Sequence, residues 1–99
     1  MTNSNGRRVT KDYLTEEFDR NGWSERLRTQ CTRIEYYNKP TRQEAKYPKG
    51  TVTVGYEYLD AENKRVALVF QYAAPDRSLC SGRDHHPKGL LIDGVWCYI

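Results

Sequence analysis

Thr51-Val-Thr-Val-Gly-Tyr-Glu-Tyr-Leu-Asp-Ala-Glu-Asn-Lys-Arg-Val-Ala-Leu-Val-Phe-Gln-Tyr72 is the stretch whose reading decides the fold. In its first half, Val52, Val54, Tyr56 and Tyr58 alternate with Thr51, Thr53, Gly55 and Glu57. In its second half, Val66, Leu68, Phe70 and Tyr72 alternate with Arg65, Ala67, Val69 and Gln71. A period of two places each set on one face of a strand. The short segment Asp60-Ala-Glu-Asn63 between them is turn-like, so residues 51–72 form an antiparallel hairpin.

A second hairpin follows at residues 90–99, LLIDGVWCYI, where Asp93-Gly94 fits a two-residue type I′ turn. Upstream, Thr10 can cap a helix through its hydroxyl. Val9 and Leu14 fit a hydrophobic staple around that cap. Leu14 and Phe18 lie one turn apart, and Asn21-Gly22 supplies a left-handed stop, so a helix spans 11–20. Residues 23–37 admit two readings. Ser24 can cap a short helix through Gln30, whereas the run TQCTRIEYY favours a strand from about residue 29 to Tyr37. Residues 38–50 and 73–89 read as connections.

The expected fold is therefore α+β, with one N-terminal helix packed on an antiparallel sheet of four or five strands. That helix should cover the face bearing Val52, Val54, Leu68 and Phe70. Residues 1–8 are polar and read as a flexible start, with a single domain over 9–99. A chain of 99 residues can bury one modest core, with stability of roughly 5–10 kcal/mol.

Composition narrows the function. No run approaches the length of a membrane span, and the first residues lack the apolar segment of a secretory signal. Cys31, Cys80 and Cys97 are an odd set without a CxxC pair, which suits reduced thiols in a cytoplasmic protein. Cys80 and His85, with His86 or Asp84, lack the spacing of a structural zinc site, so neither a metal nor a cofactor is expected. The net charge of +3 is concentrated. Between residues 26 and 49, Arg26, Arg28, Arg33, Lys39, Arg42, Lys46 and Lys49 face two carboxylates, Glu35 and Glu44, and the rest of the chain is net negative.

Two clusters carry candidate chemistry. In the basic segment, cations can neutralise phosphates while Tyr36, Tyr37 and Tyr47 stack on unpaired bases. Arg26, Arg28, Arg33, Lys39, Arg42, Lys46, Tyr47 and Lys49 are its candidate nucleic-acid contacts. The bland alternative is a solvated basic surface. In the loop Arg77–Lys88, His85 and His86 are candidate acid–base groups, and Arg83 and Lys88 can stabilise developing charge. Together these are the ingredients of metal-independent RNA cleavage. The order of a helix followed by an antiparallel sheet resembles the architecture of small bacterial ribonuclease toxins, which implies fold alone; no toxin motif accompanies it.

The resulting expectation is a small basic protein that binds single-stranded RNA, with ribonuclease activity as an extension. Duplex DNA is disfavoured because helix 11–20 carries Asp12, Glu16, Glu17 and Asp19. The alternative is a protein-interaction module, such as an antitoxin, inhibitor or phage-encoded antagonist. It would use an aromatic surface or a sheet edge to hold a protein partner.

Overall fold

The computed structural model describes residues 6–41, 49–76 and 85–99. Eight elements follow in chain order: β1 (Gly6–Arg8), α1 (Lys11–Arg20), α2 (Trp23–Gln30), β2 (Thr32–Pro40), β3 (Val52–Leu59), β4 (Arg65–Ala73), β5 (His86–Ile92) and β6 (Val95–Tyr98). The strands form one six-stranded sheet in the order β1-β6-β5-β4-β3-β2. All neighbours are antiparallel except β1, which pairs parallel with β6. The class is α+β as expected, but with two helices rather than one and a mixed six-stranded sheet rather than four or five antiparallel strands.

The first helix forms for the reasons its sequence supplies. The Thr10 hydroxyl accepts a hydrogen bond from the Tyr13 amide at 3.0 Å. The chain leaves the helix through Asn21 and turns at Gly22, whose φ of +66° is left-handed. Each reading of residues 23–37 holds in part: the helix runs to Gln30 but is capped by Gly22 and not Ser24, and the strand runs from Thr32 to Pro40 rather than from about residue 29 to Tyr37, entering the expected connection. Trp23 and Leu27 are buried on one face of α2, and β2 starts at Thr32. Glycine at the α2 N-cap offers no side-chain hydrogen bond, so this helix is held by burial of Trp23 and Leu27.

The turns are local hydrogen-bonding devices. Asp60 Oδ1 accepts from the amides of Glu62 and Lys64 at 2.8 and 2.9 Å. These bonds, that of Lys64 foremost, hold the Asp60 carboxyl below its ordinary pKa. Asp93 and Gly94 have φ values of +50° and +80°, the backbone of the expected type I′ turn.

The helices cover one face of the sheet. Leu14, Phe18, Trp23 and Leu27 pack with Tyr58, Ala67, Val69, Leu90 and Cys97 in one core. The pairing explains that row. Tyr58 lies opposite Ala67, Ala67 opposite Leu90, and Leu90 opposite Cys97. Leu68 and Phe70 are on the other face, opposite Glu57 and Gly55.

This corrects the expected face. A bulge is the cause: Leu59 pairs with Arg65 and Tyr58 with Ala67, leaving Val66 without a partner across the strand. An unbulged continuation from the Leu59–Arg65 pair would set Phe70 opposite Val54. The one-residue shift sets it opposite Gly55 instead and turns alternate β4 side chains over. The second correction concerns residues 73–89. The strand β5 begins at His86, so His86 and Lys88 lie on the sheet and not in a loop.

Candidate nucleic-acid interface

No described element packs on the face opposite the helices, and aromatic rings line it. Two glycines make room for them. A Cβ on Gly55 would come within 2.9 Å of the Phe70 ring and 3.2 Å of the Tyr36 ring. One on Gly89 would come within 3.0 Å of Trp96 Cε2. The rings of Phe70, Tyr36 and Trp96 therefore press onto the backbone where no side chain holds them off. Tyr37 stacks on Phe70 with centroids 5.5 Å apart and planes 23° from parallel. Tyr36 meets Phe70 edge-on at 6.3 Å, and His86 meets Tyr72 edge-on at 4.9 Å.

Bulges place two of these groups. In β2, Glu35 pairs with Tyr56 and Tyr37 with Gly55, so Tyr36 is the extra residue. In β5, Gly89 pairs with Leu68 and Pro87 with Val69, so Lys88 is extra. Bulged residues are freed from strict alternation and can be re-aimed. Both converge on Phe70, Tyr36 through its ring and Lys88 with Nζ 5.6 Å from the ring centre.

Cations flank the rings. The Arg65 guanidinium lies 4.4 Å from the Trp96 ring centre, and Lys39 Nζ lies 5.6 Å from that of Tyr37. Glu57 partly offsets Arg65 across 3.7 Å. Burial, with a smaller contribution from Lys11, pushes the Lys88 ammonium below its ordinary pKa. Burial likewise raises the Tyr36 phenol, against the opposing charge of Arg65. Tyr36 keeps 49% of its surface exposed and Ile34 keeps 43%, so the β2 end of the face is open to a ligand.

The sequence-predicted residues divide between the two faces. Lys39, His86 and Lys88 reach the aromatic face. Arg26 lies over Trp23 on α2, at 4.1 Å from the ring. Arg28 is paired with Glu25, and Arg33 lies 4.2 Å from the Tyr56 ring on the helix-bearing face. Lys49 is exposed in the turn that precedes β3. His85 packs on the helix side, 5.5 Å from the Phe18 ring. The two histidines therefore do not converge on a single bond. Arg42, Lys46, Tyr47 and Arg83 lie outside the described residues.

Phe70, Trp96, Tyr72 and Arg65 were not among the candidates, although they build the face. The signal for them is in the sequence: a glycine inside each of two strands, at Gly55 and Gly89, marks a place where something approaches the backbone. Among the described residues no group of three His, Cys, Asp or Glu side chains is gathered as a metal site. No helix of the described residues is long and apolar enough to cross a membrane. Comparison with known proteins gives no match, whether to a family model, a curated protein or a solved structure.

Proposed function

We propose that the protein binds single-stranded RNA on the open face of its sheet. The observation that carries this reading is the platform itself: Phe70, Tyr36 and Trp96 laid against Gly55 and Gly89, with Lys88, Lys39 and Arg65 beside the aromatic row. Bases stack on aromatic rings, and the cations take the phosphates between them. A duplex would need an element to enter a groove. Both helices lie on the far side, and α1 presents acidic residues. Compared with the expectation from sequence, the proposed contact moves from the basic segment as a whole to Tyr36 and Lys39 of β2 and to the strands β3–β6.

Cleavage is an extension of this reading. His85 faces the helices, so on the aromatic face His86 is the imidazole among the described residues, with Lys88 beside it to stabilise charge. An acid and a base are both needed to cleave and release RNA, which makes binding the primary activity.

The test is a titration of the protein with an unstructured oligoribonucleotide at several salt concentrations, with gel analysis of the RNA for cleavage. Saturable binding that weakens with salt and is lost in Trp96→Ala and Phe70→Ala supports the reading. Absence of binding at low salt overturns it and moves the aromatic face to a protein partner, for which the outer edge of β2, unpaired among the described residues, offers a second attachment.

A further inference from the structure

On the opposite side of the sheet, a cavity of about 280 Å³ opens between α2 and β2. Its wall is cationic and its floor is apolar. Arg28, Arg33, Ser24 and His85 line it above Leu27 and Tyr58, which are 2% and 5% exposed. Among the described residues no carboxylate lines it, and burial pushes the Cys31 thiol there above its ordinary pKa, so that thiol adds no negative charge at neutral pH.

Arg33 is the central group. Its guanidinium is stacked 4.2 Å from the Tyr56 ring, and its positive charge opposes the rise in pKa that burial gives the Tyr58 phenol. No carboxylate pairs with Arg33 among the described residues. A guanidinium held against a ring, with no counter-ion among the described residues, is preorganised to receive an oxyanion in its fork. Arg28 differs, because Glu25 holds it at the rim.

We propose that this cavity binds the phosphate group of a small phosphorylated molecule. Arg33 is the principal contact, Ser24 and His85 supply further hydrogen bonds, and Arg28 joins when the anion displaces Glu25. Phosphate suits the cavity better than a carboxylate because the donors come from several directions: α2, β2 and the start of β5. Free phosphate alone would leave Leu27 and Tyr58 uncovered, whereas an organic phosphate would lay its apolar part on them. The site is independent of the aromatic face, since it lies on the other side of the sheet.

Nuclear magnetic resonance titration of the full chain tests the proposal. Inorganic phosphate and adenosine 5′-monophosphate are added separately at constant ionic strength, with sodium chloride as the control. Both phosphates should shift Ser24, Arg33 and His85 in a saturable manner, the nucleotide at lower concentration. Arg33→Gln should weaken both by about tenfold or more, the worth of one charge-assisted contact. Glu25→Gln should tighten both by freeing Arg28. Arg7→Gln removes the same charge at the opposite sheet edge and should change neither. If phosphate alone binds as tightly as the nucleotide, the ligand is the free anion. Shifts that chloride reproduces, or that persist unchanged in a folded Arg33→Gln protein, overturn the proposal.

Discussion

The Arg65 guanidinium sits 4.4 Å from the centre of the Trp96 ring, on the sheet face that the helices leave uncovered. A ring and a cation held together in this way are separable in a salt titration, because stacking releases no counter-ions and phosphate contact does. Trp96→Ala should cost about 1–3 kcal/mol of affinity for single-stranded RNA and leave the salt slope unchanged. Arg65→Gln should reduce the slope by about 0.7. Glu57→Gln removes the carboxylate beside Arg65 and should strengthen binding at low salt. Equal slopes in wild type and Arg65→Gln would place the phosphate elsewhere.

The glycines under the rings give a second test. A methyl group at Gly89 would run into the Trp96 indole, and one at Gly55 into Phe70 and Tyr36. Gly89→Ala and Gly55→Ala should each cost about 1–3 kcal/mol of stability, the range for overfilling a packed site. Both should weaken RNA binding in the protein that remains folded, since the ring must lift from the sheet. Unchanged melting temperatures would mean that the rings can move aside freely.

Much of this fold was legible because its signals are local. The Thr10 cap, the Leu14–Phe18 spacing, the alternation in β3 and the Asp93-Gly94 turn each act within a few residues. What could not be read was set by pairing at a distance. Both faces of β4 are apolar, with Ala67 and Val69 on one and Leu68 and Phe70 on the other, so alternation could not say which points inward. The bulge at Val66 decided it. The parallel pairing of β1 depends on three residues, Gly-Arg-Arg, with no apolar pattern of their own. In sequence the basic segment reads as one surface, because charge is visible there. Arg33 and Lys39 both lie on β2, and the bulge at Tyr36 puts them on opposite faces; the platform of Phe70 and Trp96 carries no charge to announce it.

The face assignment has a direct thermodynamic consequence. Leu14 is fully buried against the sheet, and Leu14→Ala should cost about 2–5 kcal/mol, enough to unfold much of a small domain. Leu68 lies half-buried on the open face, so Leu68→Ala should cost about 1–1.5 kcal/mol, half of a full burial. Denaturant melts of the two variants compare them directly. A Leu68→Ala loss as large as that of Leu14→Ala would restore Leu68 to the main core.

Lys88 should set stability and binding against each other. Burial lowers its pKa in the folded protein, so the charged form is disfavoured there relative to the unfolded chain. Between the lowered value and the ordinary lysine value, the unfolded state binds more protons, and stability rises with pH across that window. Below the window the cost of holding the charge is present in full. Lys88→Met keeps the length of the chain and removes the charge, so it should raise Tm at neutral pH. The gap to wild type should close as alkaline pH removes the proton from Lys88 itself. The same variant should bind RNA more weakly and with a salt slope smaller by about 0.7, because the ammonium beside Phe70 is lost. Calorimetric melts across alkaline pH and RNA titrations on the same two proteins read both effects. A variant that gains stability without losing affinity would show that Lys88 makes no phosphate contact, and one that loses both would show that its charge is favourable in the fold.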